Sequence, residues 1–440
     1  MRKIVSFLVL CICSFYFGQQ TSFKFDFGGN RIEKGFIPIT STSKFDKKSG
    51  YGFMDISGLK AVDNGGNALT GDFITSDKPF YFSVAIPDGN YNITLNLGDT
   101  KGSSETTVRV ENRRLMLNYI KTRQGEVVEK TITVHVKDSI IRNQNGENIG
   151  IVKLKPRERK YLHWDNLLTI EFNDKAPKVC SVIIQPNKTA KTIYLTGDST
   201  VVDAQYEPWA SWGQMLPCFF VPNEVVIANY AESGETLKAF EDRHRIDKIW
   251  TQLKSGDYLF IQFGHNDQKA GNSTKSGYRK RLKEWIQKAR QLGAVPVLVT
   301  SMNRRVFDEN NKIVNTLDDF PDAMREIAKE ENVNLIDLNA MSKTLFEAMG
   351  PENSKKAFVY YPANAYPNQQ NALADDTHFN PYGAYELAQC VVKSIVDQNL
   401  PLKKYISNNF RNFNPNKPDD VEKFHWPESV FMESLKPDGN

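Results

Sequence analysis

The residue texture of this 440-residue chain changes near residue 191, and that change constrains the fold more than any single motif. Before it, short runs alternate between apolar and polar residues. Phe23-Lys24-Phe25-Asp26-Phe27, Phe80-Tyr81-Phe82-Ser83-Val84, Tyr91–Leu95, Thr106–Val110, Lys130–Val134 and Leu168–Phe172 are the clearest. Turn clusters such as Pro87-Asp88-Gly89-Asn90 and Asn143-Gln144-Asn145-Gly146 separate them. Many short alternating strands with turns between them predict an all-β sandwich over residues 22–187. After residue 191 the strand candidates are near-continuous apolar runs: Thr192–Thr196, Val225–Asn229, Tyr258–Phe263, Val295–Thr300 and Asn334–Asp337. Such runs fit a parallel sheet covered on both faces. Helical periods fall between them at Tyr278–Gln291, Phe320–Glu330 and Pro381–Val396. Gly293 fits a C-cap, and Asn380 before Pro381 fits an N-cap with proline at the first helical position. The βαβ order predicts a doubly wound α/β domain over residues 191–404, joined through Pro186-Asn187-Lys188. Residues 405–440 are a polar, proline-dotted tail, whose Phe424, Trp426, Phe431 and Met432 either dock on the body or leave it partly disordered.

Composition narrows the classes. A net charge of +4 over this length gives no basis for nucleic-acid binding. Arg2 and Lys3, the apolar stretch Ile4–Phe17 and the polar Gly18-Gln19-Gln20 read as a signal peptide over residues 1–20. The apolar stretch is too short to span a bilayer, and no later one reaches that length. Lipidation at Cys11 or Cys13 is disfavoured, because Leu10 and Ile12 stand where a small residue is wanted. The expected location is therefore outside the cytoplasm, in the periplasm, on the cell surface or in the medium. Cys180, Cys218 and Cys390 are then left, an odd number without metal-type spacing. They allow one disulfide at most, with the pairing open. Cys390 lies on an apolar helical stripe and is expected to pack in a core.

Four segments at strand ends carry the chemistry. Gly197-Asp198-Ser199-Thr200 leaves the first α/β strand. A serine there faces the crevice at the carboxyl edge of the sheet, and a helix start after it would offer backbone N–H groups. The same residues also serve as an ordinary helix cap. Gly234, in Asn229-Tyr230-Ala231-Glu232-Ser233-Gly234-Glu235-Thr236, offers a bare backbone N–H or is simply a turn glycine. Asn266, in Gly264-His265-Asn266-Asp267, offers an amide donor, while His265 and Asp267 read as a base with its partner or, better, as polar loop residues. Asp375-Asp376-Thr377-His378 precedes the last helix. A serine hydroxyl needs a base, and the base needs a carboxylate to orient it; Asp375 and His378 on one loop can supply both. Together the segments provide nucleophile, oxyanion donors, base and orienter, the set that acyl transfer requires.

These four segments resemble the four blocks of the SGNH/GDSL hydrolases, over residues 192 to about 400. The resemblance implies a flavodoxin-like three-layer α/β/α domain. It implies Ser199 as nucleophile, His378 as base, Asp375 as its orienter, and an oxyanion hole from Ser199, Gly234 and Asn266. Gly-Asp-Ser-Thr, Trp212-Gly213-Gln214, Gly-His-Asn-Asp and Asp-x-Thr-His-Phe-Asn are similar to the rhamnogalacturonan acetylesterases, carbohydrate esterase family 12. Gly234-Glu235-Thr236 departs from the Gly-Arg-Ser more frequent there. No Gly-x-Ser-x-Gly elbow is present, so the α/β-hydrolase fold is not implied. The sandwich resembles galactose-binding-like domains in texture, which leaves carbohydrate contact and a rigid spacer as its two readings.

The expected function is a secreted serine esterase that removes acetyl groups from a plant polysaccharide, with no metal or organic cofactor. Acetylated rhamnogalacturonan is the leading substrate, with acetylated xylan as an alternative. A lipase or arylesterase of the same superfamily and a non-catalytic carbohydrate-binding protein are the other readings. Arg304 and Arg305, after the fourth strand, are candidate partners for galacturonate carboxylates or, for at least one of them, part of a solvated basic loop. Trp212 is a candidate sugar platform or a core residue.

Overall fold

The computed structural model describes residues 20–432 and 437, apart from 30, 270, 409 and 411. The leader reading over residues 1–20, with Cys11 and Cys13, lies outside the described residues except for Gln20.

The alternating runs of the first half form two facing sheets. One is ordered Val127–Val136, Gly89–Gly98, Lys178–Pro186, Phe23–Phe27, Ile37–Ile39, with Asp72–Thr75 also pairing with Lys178–Pro186 and Lys60–Asp63 beyond it. The other is ordered Tyr51–Phe53, Phe80–Ala85, Leu167–Ala176, Ser104–Val110, Arg114–Thr122. Pairing is antiparallel except where Phe27 meets Ile39 in a parallel pair. Alternation sends Phe25, Phe27, Phe53, Phe82, Ile93 and Leu95 into the layer between the sheets. Edge-to-face contacts of Phe82 with Phe25, Phe27 and Phe53 at 5.0–5.3 Å fill it.

The second half builds a five-stranded parallel sheet ordered Val225–Asn229, Lys191–Thr196, Tyr258–Ile261, Val295–Val299, Asn334–Ile336. In chain order this is 2-1-3-4-5, the flavodoxin-like arrangement. Successive residues enter opposite layers. Ile193, Leu195, Tyr258, Phe260, Val297 and Val299 face one core, and Tyr194, Leu259, Ile261 and Leu298 face the other. Helices Lys275–Gln291, Phe320–Glu330 and Pro381–Asp397 occupy the expected places. The first begins three residues earlier than its apolar period, because Thr274 caps it by accepting from the Gly277 N–H at 3.1 Å. Asp337, expected to end a strand, instead caps the helix Leu338–Asn353 through the Ala340 N–H at 3.2 Å. No helix among the described residues is long and apolar enough to cross a membrane. Cys180, Cys218 and Cys390 are free thiols, so no disulfide joins them; Cys390 is fully buried as expected.

The two halves share an interior. Leu115 of the sandwich belongs to one core of the α/β half, and Ile141, Val152 and Trp164 belong to the other. Buried ion pairs cross the boundary: Arg113–Glu207 at 2.5 Å, Arg114–Asp203 at 2.7 Å, Arg245–Glu158 at 2.5 Å and Lys248–Asp88 at 2.5 Å. The Pro186-Asn187-Lys188 junction is anchored too, since Asn187 donates to Asn92 Oδ1 and Asn223 O. The tail docks rather than trailing free: Trp426 donates to Glu207 Oε1 at 2.9 Å and lies 3.7 Å under the Arg109 guanidinium. Phe431 packs edge-on against Tyr81.

Removing one member of a buried pair strands the other charge away from water. Arg245→Met is expected to cost about 3–5 kcal/mol in urea unfolding. The double variant Arg245→Met with Glu158→Leu is expected to recover most of that loss, which midpoints measured side by side will check.

Candidate active site

Hydrogen bonds bring together the four segments that the sequence singled out. Gly197 admits the sharp exit from the first strand, because a Cβ there would lie 2.5 Å from Val201 Cγ2. The turn that follows is closed by Val201 and Val202 N–H groups donating to Asp198 O at 3.0 and 3.1 Å. No helix starts at Ser199, contrary to the expectation; the next one, Trp212–Met215, begins after Ser211. The Asp198 carboxylate satisfies this turn instead, accepting from the Thr200 N–H and hydroxyl at 2.9 and 2.8 Å. Its other oxygen lies 3.6 Å from His265 Nδ1. Burial raises the Asp198 pKa, but contact with His265 and the Thr200 donors outweighs it and holds the group below its ordinary value.

Ser199 is 6% exposed, and its Oγ lies 2.9 Å from His378 Nε2. His378 Nδ1 lies 2.8 Å from Asp375 Oδ2. Asp375 Oδ1 accepts from the Thr377 and His378 backbone N–H groups at 2.8 and 3.1 Å. The acid and base sit on a strand, Leu373–Phe379, which pairs antiparallel with Phe358–Tyr361. The expectation of a loop is corrected here: the extended backbone is held by that pairing. Burial pushes the Asp375 carboxyl up. The hydrogen bond and charge of His378 and the two backbone donors prevail, and bring it to about 2.

The remaining blocks interlock. Glu232 N–H donates to Gly197 O at 3.2 Å, which ties the second block to the first. Gly234 takes φ +77°, a conformation that glycine adopts without cost. Asn266 Nδ2 donates to Glu235 O at 3.1 Å, tying the third block to the second. Asp267 accepts from Leu237 N–H and Ser273 Oγ, and burial lifts its pKa to about 7. Burial lowers the pKa of His265, which is directed at Asp198.

The candidate substrate contacts are corrected. Trp212 is 0% exposed and donates from Nε1 to Gln262 Oε1 at 2.8 Å, so its ring has no face for a sugar. Gln262 in turn donates to Thr200 Oγ1 at 2.7 Å, which makes Trp212 a brace behind the serine turn. Arg304 donates to Thr316 O, Thr377 Oγ1 and His265 O. Arg305 is held by Asp376, Tyr360 and Pro351 O. Both guanidiniums are committed to internal partners. Trp209 was not anticipated: its ring stands 5.7 Å from the His378 ring at 87°. It lies in an irregular segment, where no periodicity marks it.

A doubly wound sheet with a Ser–His–Asp relay carries the nucleophile, base and orienting acid of a serine hydrolase. The chain belongs to the GDSL-like lipase/acylhydrolase family, which residues 195–385 match. Residues 23–136 match the galactose-binding-like domain of β-agarases and YxiM-like esterases. The chain is 43% identical over 217 residues to the rhamnogalacturonan acetylesterase RhgT of Bacillus subtilis (strain 168), covering 49% of this chain and 93% of that protein. It is 26% identical over 390 residues to the uncharacterized esterase YxiM of the same organism, covering 86% of this chain and 91% of that protein. The crystal structure of the Bacillus subtilis YxiM protein aligns at 24% identity and a TM-score of 0.46, covering 86% of this chain and 99% of that one.

The depressed pKa of Asp375 gives a signed acid response. Its folded value lies below the unfolded one, so its stabilisation is complete above about pH 4 and is lost as pH falls through about 2. Asp375→Asn is expected to flatten the stability curve over that window by about 2 kcal/mol, read by denaturation at stepped pH.

Proposed function

We propose that this enzyme removes acetyl groups from an acetylated plant polysaccharide, rhamnogalacturonan first, through an acetyl-enzyme on Ser199. The observation that carries the reading is the relay of 2.9 and 2.8 Å from Ser199 through His378 to Asp375. The 43% identity to a rhamnogalacturonan acetylesterase supports the substrate class. The coarser activity, hydrolysis of acetyl esters on carbohydrate, is supported by that same relative.

The proposed steps use the relay in order. Ser199 Oγ attacks the acetyl carbonyl carbon as its proton passes to His378 Nε2. Asp375 keeps Nδ1 protonated and stabilises the imidazolium that forms. The carbonyl oxygen becomes an oxyanion facing the Ser199 and Gly234 N–H groups and the Asn266 amide. Asn266 has two amide hydrogens; Glu235 O takes one and thereby fixes the plane of the other. Collapse breaks the ester bond, and His378 returns the proton to the departing sugar oxygen. Water then attacks the acetyl-enzyme and gives one proton to His378; Ser199 Oγ recovers that proton as acetic acid leaves, and the acid ionises to acetate in solvent. No step calls for a metal.

Export is part of the proposal. A pectic polymer does not enter a cell, and the charged and then apolar residues 2–17 support a secreted enzyme. The galactose-binding-like match supports carbohydrate contact by the sandwich.

Acetate release will be measured on acetylated rhamnogalacturonan, acetylated xylan and a long-chain ester. Wild type is expected to favour the pectic substrate, and Ser199→Ala to lose a factor on the order of 10⁶ in kcat while remaining folded. Asn266→Ala is expected to lose about 10²–10³. Preference for the xylan or the long-chain ester would replace the substrate assignment. Full activity in Ser199→Ala would overturn the mechanism.

A further inference from the structure

The sandwich reaches the catalytic base through one turn. Glu111, Asn112 and Arg113 join the strands Ser104–Val110 and Arg114–Thr122. Glu111 and Arg113 take φ of 55° and 57°, a region that residues with side chains enter only when the surroundings compel it. The compulsion is visible. Glu111 N–H donates to Thr169 O at 2.8 Å, and Thr169 N–H donates back to Glu111 Oε1 at 3.0 Å. The strained turn drives the Arg113 side chain out of its own domain and into the other.

There Arg113 is 0% exposed and meets three points of one irregular segment. One terminal nitrogen, Nη1, donates to Ala204 O at 3.2 Å and to Trp209 O at 3.1 Å. The other, Nη2, pairs with Glu207 Oε2 at 2.5 Å. A planar fork can serve three partners at once, and a lysine ammonium on a flexible stem cannot hold the same geometry. The segment so fixed ends against the base. The Trp209 ring stands edge-to-face with His378 at 5.7 Å, and Ala210 N–H donates to Phe379 O at 2.9 Å, one residue past His378. Asp375 and Ser199 define the two nitrogen ends of the imidazole, and neither prevents the ring from tilting about the line between them. Trp209 supplies that lateral wall.

We propose that Arg113 is a positioning residue of the esterase site, and that the sandwich domain completes the active site by holding Trp209 against His378. This rests on the esterase reading above, with His378 as the base. Arg113 does not touch substrate. It acts through the backbone of residues 204–209.

The test is a double-variant cycle on p-nitrophenyl acetate, with the full chain. Arg113→Lys keeps a positive charge opposite Glu207 and loses the fork; Trp209→Phe removes most of the lateral wall. Each is expected to lower kcat about tenfold or more, with KM within about twofold and the melting transition retained. If the two act along one path, the double variant falls no further than about threefold below the worse single variant. Losses that multiply, or an Arg113→Lys enzyme with wild-type kcat, would overturn the proposal. Should Arg113→Lys fail to fold, Arg113→Leu with Glu207→Gln removes both buried charges together, and the same cycle with Trp209→Phe decides. Ser199→Ala runs alongside. Hydrolysis that survives it sinks the esterase reading itself, whereas Ser199-dependent hydrolysis with multiplicative losses sinks only the role of Arg113.

Discussion

Two neighbouring arginines, Arg113 and Arg114, leave water entirely when this chain folds, and both find their carboxylates in the other half of the molecule. A guanidinium buried without its partner is too costly for a stable protein. The sandwich and the α/β half therefore have one acceptable relative position, the one that brings Glu207 and Asp203 to these side chains. Leu115, next along the same strand, enters the apolar core of the α/β half and adds a non-polar lock to the ionic one. Glu207 also receives Trp426 and Ser429 from the tail, so a single carboxylate gathers three distant stretches of chain.

Within that frame the crevice is built by mutual hydrogen bonding between blocks. Each block alone is a short turn with freedom to move. Gly197 O accepts from the Glu232 N–H, Glu235 O accepts from Asn266, and Asp198 lies against His265. Both oxygens of the Asp375 carboxylate are engaged before any substrate arrives. Charge that develops on the base in the reaction thus meets a partner already ionised and oriented, so little reorganisation is needed at the moment of transfer.

The sheet was legible because burial on both faces leaves long apolar runs, as in Tyr258-Leu259-Phe260-Ile261. The serine turn, the asparagine and the Asp/His pair were legible because their chemistry needs particular residue types, the first two at strand ends and the pair three residues apart just before the last helix. Other features gave no such signal. Trp212 stayed open between sugar platform and core residue, since an aromatic near a strand end reads alike whether it faces in or out; its full burial and its bond to Gln262 place it inside. Arg304 and Arg305 looked free because their partners, Thr316, Asp376 and Tyr360, lie 12 to 71 residues away. The strand carrying His378 read as a loop because its pairing partner, Phe358–Tyr361, is short and its register shifts between Phe358 and Val359.

The same reasoning explains why the sandwich is more than a spacer. Residues 203–210 contain no helix or extended strand, and an irregular segment of that length in water loses about 1–2 kcal/mol of backbone entropy per residue when it is fixed. Its own short-range hydrogen bonds are few. The compensation comes from outside: Asn112 donates to Asp203 O, Arg113 to Ala204 O and Trp209 O, and Arg114 to the Asp203 carboxylate. Three consecutive sandwich residues, two in the turn and one at the start of the next strand, thereby order the approach to the base. The buried charges of the sandwich point into the α/β half, so its contact with that half is part of the structure whatever its outer surface binds.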